Sequence, residues 1–233
     1  MGNFGSYLQG TTASLWALAG CFIILIAFFA QRIQICKQSE QIGDQKKQFQ
    51  SESVSTRHQN FENQFFQLLN LHNQIACQMR QGTNIEALEG RGCFNYWYAR
   101  LQNEYHGAKS QNAKHQNLSA SDEYAFLQRC YNEWWKSHQE DLGHYFRTLY
   151  HLIKFVKSSD VVVTYEDKRR YTSLVRAQLS AYELAHLFYN GLSEYGKGFK
   201  PWIEEFGLLE HLDKKILLHP SHSTSYYDPR AFR

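Results

Sequence analysis

The sequence predicts an all-α protein, in which an N-terminal single transmembrane helix and a stalk helix are followed by a cytoplasmic helical-bundle domain. Three observations predict it. Only three prolines interrupt 233 residues, residues 13–30 carry no charged side chain, and from Phe61 onward apolar residues recur at helical spacing. No internal repeat is visible, and at 43% hydrophobic and 15% aromatic residues the chain has enough apolar surface for a packed core.

Residues 1–12 form a short N-terminal segment ahead of the apolar run Ala13–Ala30. Eighteen residues rising 1.5 Å each cover roughly 27 Å, close to the hydrocarbon thickness of a bilayer. A cleaved signal peptide is the competing reading. It lacks a Lys or Arg before the run, and the exit around Phe28 and Ala30 lacks small residues at both required positions. Arg32, Lys37, Lys46 and Lys47 all follow the span, which by the positive-inside rule puts the long C-terminal part in the cytoplasm, with Trp16 at the opposite interface.

Residues 31–60 read as a Gln-rich stalk helix. Ile35, Ile42 and Phe49 recur at sevens and can zip with a second copy, although Gln38 and Gln45 stand where a strong coiled coil has its second apolar position. Residues 61–218 form the helical domain. Its first stripe is Phe61, Phe65, Leu68, Leu69, Ile75, Ala76 and Met79. A loop at Gly82–Gly92 follows, then a helix in FNYWYARLQNEY and a polar linker over Gly107–Ala120. Ser119 with Asp122 three residues on marks the start of a helix around DEYAFLQRCYNEWWKSH, where Trp134 and Trp135 are core candidates. Val161–Val163 is expected as an extended connector between helices, with a short strand as the alternative. Pro201 opens a short helix that Gly207 ends. Residues 219–233 have too little periodicity to assign and read as a flexible tail.

A net charge of +3, with both signs interspersed, provides no electrostatic case for a nucleic-acid-binding surface, and the densest basic run, Lys168–Arg170, reads as a solvated helix edge. Five scattered cysteines without a C-x-x-C pair fit reduced thiols. No phosphate-binding glycine loop, H-E-x-x-H or nucleophile elbow occurs, and His219 and His222 lack companion ligands, so no metal or cofactor is expected.

Two segments set polar stripes inside apolar patterns. In GHYFRTLYHLIKFV, His144, Arg147 and His151 share one face, opposite an apolar stripe of Leu142, Tyr145, Leu149, Ile153 and Val156. In YTSLVRAQLSAYELAHLFYNGLS, read as one helix, Arg176, Ser180, Glu183 and Asn190 do likewise; this helix is apolar around most of its circumference, so Arg176 and Glu183 are expected to be buried and paired. If the faces meet, they form a polar network that locks helix register, or a reaction centre.

The combination of HYFRTLYHLIKFV, RAQLSAYELAHLFYNGLS and GFKPWIEEFGLLEHL, preceded by FENQFFQLL and a membrane span, resembles the phage abortive infection proteins of the AbiC-like group. The resemblance implies a bacterial or prophage-encoded defence protein that stops phage propagation at the expense of the infected cell. Its location would then be the bacterial inner membrane, and its trigger a phage or host protein. Three modes of action compete. The first is an interaction protein whose helical domain senses the trigger. The second is a tethered, metal-independent ribonuclease using His144, Arg147, His151 and Arg176. Helical antiviral ribonucleases of the HEPN class place four to six intervening residues between Arg and His. Arg147 and His151 fall one intervening residue short of that pattern, and Arg100 and His106 match it but have Leu101 where a polar residue is preferred. The third is a membrane effector whose stalk self-association clusters the spans.

Overall fold

The computed structural model describes residues 2–82, 87–111 and 118–233. Its contacts divide the chain into two units, Met1–Gln59 and Asn60–Arg233. The described residues of the first unit lie within helix α1 (Gly2–Gln78), which continues into the second. Within Leu15–Gln78 lies an 18-residue window of mean hydropathy 1.9, long and apolar enough to cross a membrane, and none of it is buried. Leu15, Phe22, Ile24 and Phe28 are exposed, as are the heptad-spaced Ile35, Ile42 and Phe49.

Among the described residues the second unit is all-α apart from one small hairpin. From residue 60, α1 buries Phe61, Phe65, Leu69 and Ala76 on the expected stripe. Phe61 stacks on Phe155 at 5.0 Å and meets Tyr171 edge-on at 5.0 Å. The expected Gly82–Gly92 loop contains one two-residue strand, β2 (Leu88–Glu89), which pairs antiparallel with β1 (Arg80–Gln81) just before the loop, with Arg80 opposite Glu89. Residues 83–86 of that loop lie outside the described residues, as do residues 112–117 of the expected linker. Helix α2 (Gly92–Ser110) takes in the first residues of the linker.

Helix α3 (Ala120–Lys157) starts at the Ser119 cap, whose side chain accepts the Asp122 N–H, and Asp122 and Glu123 stand in its first turn where the helix dipole favours them. It runs through Gly143 without a break and joins two segments that the sequence separates. Trp134 and Trp135 are both buried in it. Val161–Val163 is irregular, with Val162 buried. Helix α4 (Tyr165–Arg176) is capped by Thr164, whose side chain accepts the Asp167 N–H.

The segment expected as one helix over 171–193 is two. Helix α4 ends at Arg176, and Ala177–Leu179 turn before Ser180 caps α5 (Ala181–Leu192). The physical reason is local: Ser180 adopts an extended conformation (φ −73°, ψ 167°), its side chain accepts the Glu183 N–H, and Glu183 reaches back to the Ser180 N–H. This reciprocal box satisfies two helix-start donors, which a continuous helix would leave to its own ladder. Arg176, Ser180, Glu183 and Asn190 therefore do not form one stripe. Every residue from Glu183 to Leu192 is buried, so α5 is the central helix of the unit.

Helix α6 (Lys200–Phe206) has Pro201 in its first turn and ends at Gly207, which is left-handed at φ 62°. The segment read as a flexible tail is packed. After a 3₁₀ turn (Lys214–Ile216) and buried Leu217 and Leu218, which precede it, that segment forms the short α7 (His222–Ser225) and a second 3₁₀ turn (Pro229–Phe232), and its buried residues are His222, Tyr227 and Ala231. The Leu209 N–H donates to the Ala231 carbonyl at 2.9 Å, and the Tyr227 hydroxyl donates to the Phe188 carbonyl at 2.8 Å.

Gly191 makes that docking possible. A Cβ there would stand 2.3 Å from the Tyr227 hydroxyl and 2.8 Å from Ile203. Gly191→Ala is expected to destabilise the domain by about 1–3 kcal/mol through overpacking, despite the better helix propensity of alanine. Urea unfolding of the full chain in detergent, followed by tyrosine and tryptophan fluorescence, measures the loss; an unchanged midpoint would mean that the tail is not held there.

Candidate functional site

Helix α3 divides its residues as its spacing dictates. Leu142, Tyr145, Leu149, Ile153 and Val156 are buried, and His144, Arg147 and His151 are exposed on the other side. His144 and Arg147 line a cleft of about 820 Å³, together with Trp135 and Phe146 from the same helix, Asn190 from the end of α5, and Tyr195 from the turn that follows. Trp135 and Tyr195 face each other at 5.6 Å, and Trp135 lies 5.8 Å from Phe146. Asn190 is buried and its amide nitrogen donates to the Tyr131 hydroxyl at 3.2 Å. Gly196 lies against it so closely that a Cβ would fall 2.1 Å from the Asn190 carbonyl and 2.4 Å from its Oδ1. The cleft thus has aromatic walls, a buried amide and two basic side chains.

The remaining residues singled out in the sequence lie elsewhere. His151 does not line the cleft; its ring meets Tyr150 edge-on at 5.5 Å. Arg176 is buried, donating to the Gly207 carbonyl at 3.1 Å and pairing with Glu210 at 2.6 Å. Arg176 and Glu183 are both paired, but not with each other. Arg100 folds onto its neighbour Tyr96, donating to its hydroxyl at 2.8 Å, and His106 is exposed. The four residues His144, Arg147, His151 and Arg176 therefore do not converge on one point.

Glu183 centres a separate, buried group. One carboxylate oxygen accepts the Tyr145 hydroxyl at 2.9 Å; the other accepts the Ser180 N–H at 2.7 Å and pairs with Arg91. Arg91 also donates to the Asn73 side chain at 2.9 Å. Burial first, then the Glu183 charge, pushes the Tyr145 phenol far above its ordinary pKa, so it stays a donor. Beside it, at 4.6 Å between rings, His72 is fully buried, and neither ring nitrogen has a hydrogen-bond partner among the described residues. Burial, helped by the Arg91 charge, lowers its pKa to about 4.

A second buried group joins the tail to α2 and α3. Glu123 accepts the Tyr105 hydroxyl, pairs with Lys109 at 2.9 Å and faces His222 Nε2 at 3.4 Å. His222 Nδ1 lies 3.1 Å from the Tyr189 hydroxyl, which in turn accepts the Leu218 N–H at 2.8 Å. Burial lowers His222 to about 4 against the opposing pull of Glu123, so a neutral imidazole donates to the carboxylate and accepts from the tyrosine. Among the described residues, no group of three or more His, Cys, Asp or Glu could hold a metal ion.

Arg91, Glu123 and His72 are the residues that sequence reasoning missed. His72 sits on the buried stripe of Phe65, Leu69, Ala76 and Met79 at alternating steps of four and three, a signal available in the sequence. Ser180 and Glu183 show the capping-box spacing. Nothing local points from Glu183 to Arg91.

Two outcomes are expected. Arg91→Ala strands the buried Glu183 carboxylate and should cost about 3 kcal/mol in urea unfolding, and Glu183→Gln, which keeps an acceptor for Tyr145, distinctly less. His72, His186 and His222 are each held near 4 against an ordinary 6.5. Between those values the unfolded chain binds protons that the folded one does not. Stability is therefore full above pH 6.5 and falls as the pH drops toward 4, by up to about 3 kcal/mol per histidine. In a urea titration at pH 7 and pH 5, His72→Leu should lose less than the parent; an equal loss would remove His72 as a source of acid sensitivity.

Residues 137–216 match the family model described as "Putative phage abortive infection protein". That segment runs from the middle of α3 through the 3₁₀ turn after α6, and it contains Glu183 and every cleft residue named above except Trp135. No curated protein and no solved structure matches the chain. The segment that shapes the cleft is thus the part of the chain that is similar to phage abortive infection proteins.

Proposed function

We propose that the protein is a membrane-anchored bacterial or prophage-encoded antiphage defence protein that acts by abortive infection through its cytoplasmic helical domain. The observation that carries this reading is the match over residues 137–216, the part of the chain that forms the cleft face of α3 together with α4, α5 and α6. The anchor rests on the uncharged run Ala13–Ala30, whose apolar side chains the rest of the chain leaves uncovered. The orientation rests on the basic residues that follow it. A phage or host protein serves as trigger, and the exposed Ile35, Ile42 and Phe49 stripe is the surface through which two copies associate along the stalk.

Expression of the full chain in a bacterial host challenged with a phage panel tests the reading. For a sensitive phage, plaque counts should fall at least tenfold, and at high multiplicity the infected culture should collapse without releasing phage. Survival of that culture while phage is blocked would exclude abortive infection. Ile24→Arg combined with Ile26→Arg adds about 5–7 kcal/mol to membrane insertion and should remove the protein from the membrane fraction together with protection. Protection by a protein absent from that fraction would sink the anchor. Replacing Ile35, Ile42 and Phe49 by glutamate should abolish cross-linked dimers in intact cells, and a cross-linking pattern unchanged by the replacement excludes the stalk as the contact.

A further inference from the structure

The cleft beside α3 offers a set of groups that the defence reading does not use. Asn190 is 3% exposed; its nitrogen is committed to Tyr131, and among the described residues its Oδ1 accepts no hydrogen bond, although the residue lines the cleft. An amide oxygen in a cleft wall is free to accept an N–H or O–H from a ligand. The surroundings of that amide are aromatic. Tyr131 stacks on Trp135 at 6.0 Å, and Tyr195, 53% exposed, covers Trp135 at the mouth. A group that presents a hydrogen-bonding edge and a π-face together is a heteroaromatic ring.

Further along α3 charged side chains join Phe146 and Tyr150 in the lining. Glu140, His144 and Arg147 follow Trp135 on the same helix, rising 1.5 Å per residue, so the carboxylate lies nearer Trp135 and the guanidinium farther from it. Among the described residues Arg147 has no ion pair. Its guanidinium lies 3.5 Å from where a Cβ of Gly143 would be, folded back along the helix toward the cleft. A free guanidinium beside an imidazole suits an anion with several acceptor oxygens, and a carboxylate between them and the rings suits sugar hydroxyls. The volume of about 820 Å³ lies within the range of small-ligand sites.

We infer that this cleft binds a nucleoside monophosphate, with the base against Tyr195 and the Asn190 amide, the ribose at Glu140 and the phosphate at His144 and Arg147. One such unit needs no basic surface, which agrees with the near-neutral charge of the chain. The same chemistry can come from a free mononucleotide or from the end of a single strand.

Isothermal titration of the full chain in detergent micelles tests the assignment. The probes are AMP, GMP, CMP and UMP, their nucleosides, inorganic phosphate and an RNA tetranucleotide. At least one monophosphate should bind saturably, at least tenfold more tightly than its nucleoside and than phosphate. Tighter binding of the tetranucleotide supports the site and identifies a strand end as the source; equal or weaker binding supports it with the free nucleotide. Arg147→Gln should weaken the monophosphate at least tenfold and leave the nucleoside unchanged, and Tyr195→Ala should weaken both. Both side chains are exposed, so folding is not at stake. If no monophosphate binds more tightly than phosphate up to millimolar concentration, or if both variants bind like the parent, the inference fails.

Discussion

The burial of Glu183 is the constraint around which the helical domain is arranged. A carboxylate with no solvent exposure must be met by donors, because an unpaired one costs several kcal/mol. Its donors come from three places in the chain: the Ser180 backbone at the start of α5, Tyr145 on α3, and Arg91 just before α2. The same side chain that starts α5 therefore fixes where α5 sits against α3 and α2. Helix α5, buried from Glu183 to Leu192, has no exposed face on which to slide, so its position decides the position of its neighbours.

Two consequences follow for the surface. With α5 in place, its C-terminal end brings Asn190 beside Tyr131 and sends the chain through Tyr195 and Gly196 back across α3, which creates the cleft. Its other side receives the C-terminal segment, where Gly191 admits Tyr227 and the Tyr189 hydroxyl meets Leu218 and His222. The tail that periodicity cannot assign is held by single directed contacts, with short turns that carry no repeat for a pattern to detect. The matched segment spans α5 and the cleft, so the part of the chain that is similar to abortive infection proteins also shapes this concave surface.

The polar residues show where local reasoning reaches its limit. His144 and Arg147 share an exposed face of α3, as their spacing requires, and both reach the cleft. His151, one turn farther on that face, does not, because the cleft is closed by residues that follow Asn190 and their path depends on α5. Arg176 and Glu183 each find an opposite charge, but Glu210 and Arg91 lie 34 and 92 residues away along the chain. The charge of a buried residue says that a partner exists; only the packing says which.

By itself the sequence determined the all-α class, the apolar N-terminal span, the buried faces of α1 and α3, the caps at Ser119 and Gly207, and the likeness of residues 137–216 to phage abortive infection proteins. These follow from composition, from a period of 3.6 residues and from interactions three or four residues apart. The break between α4 and α5 is local as well, written in the Ser180–Glu183 capping box; the tertiary structure decided that the C-terminal segment docks through His222, Tyr227 and Ala231, that His72 is buried with no hydrogen-bond partner among the described residues, and that the two polar stripes form no single centre. Those outcomes depend on contacts between residues far apart in the chain, whose energies no local pattern encodes.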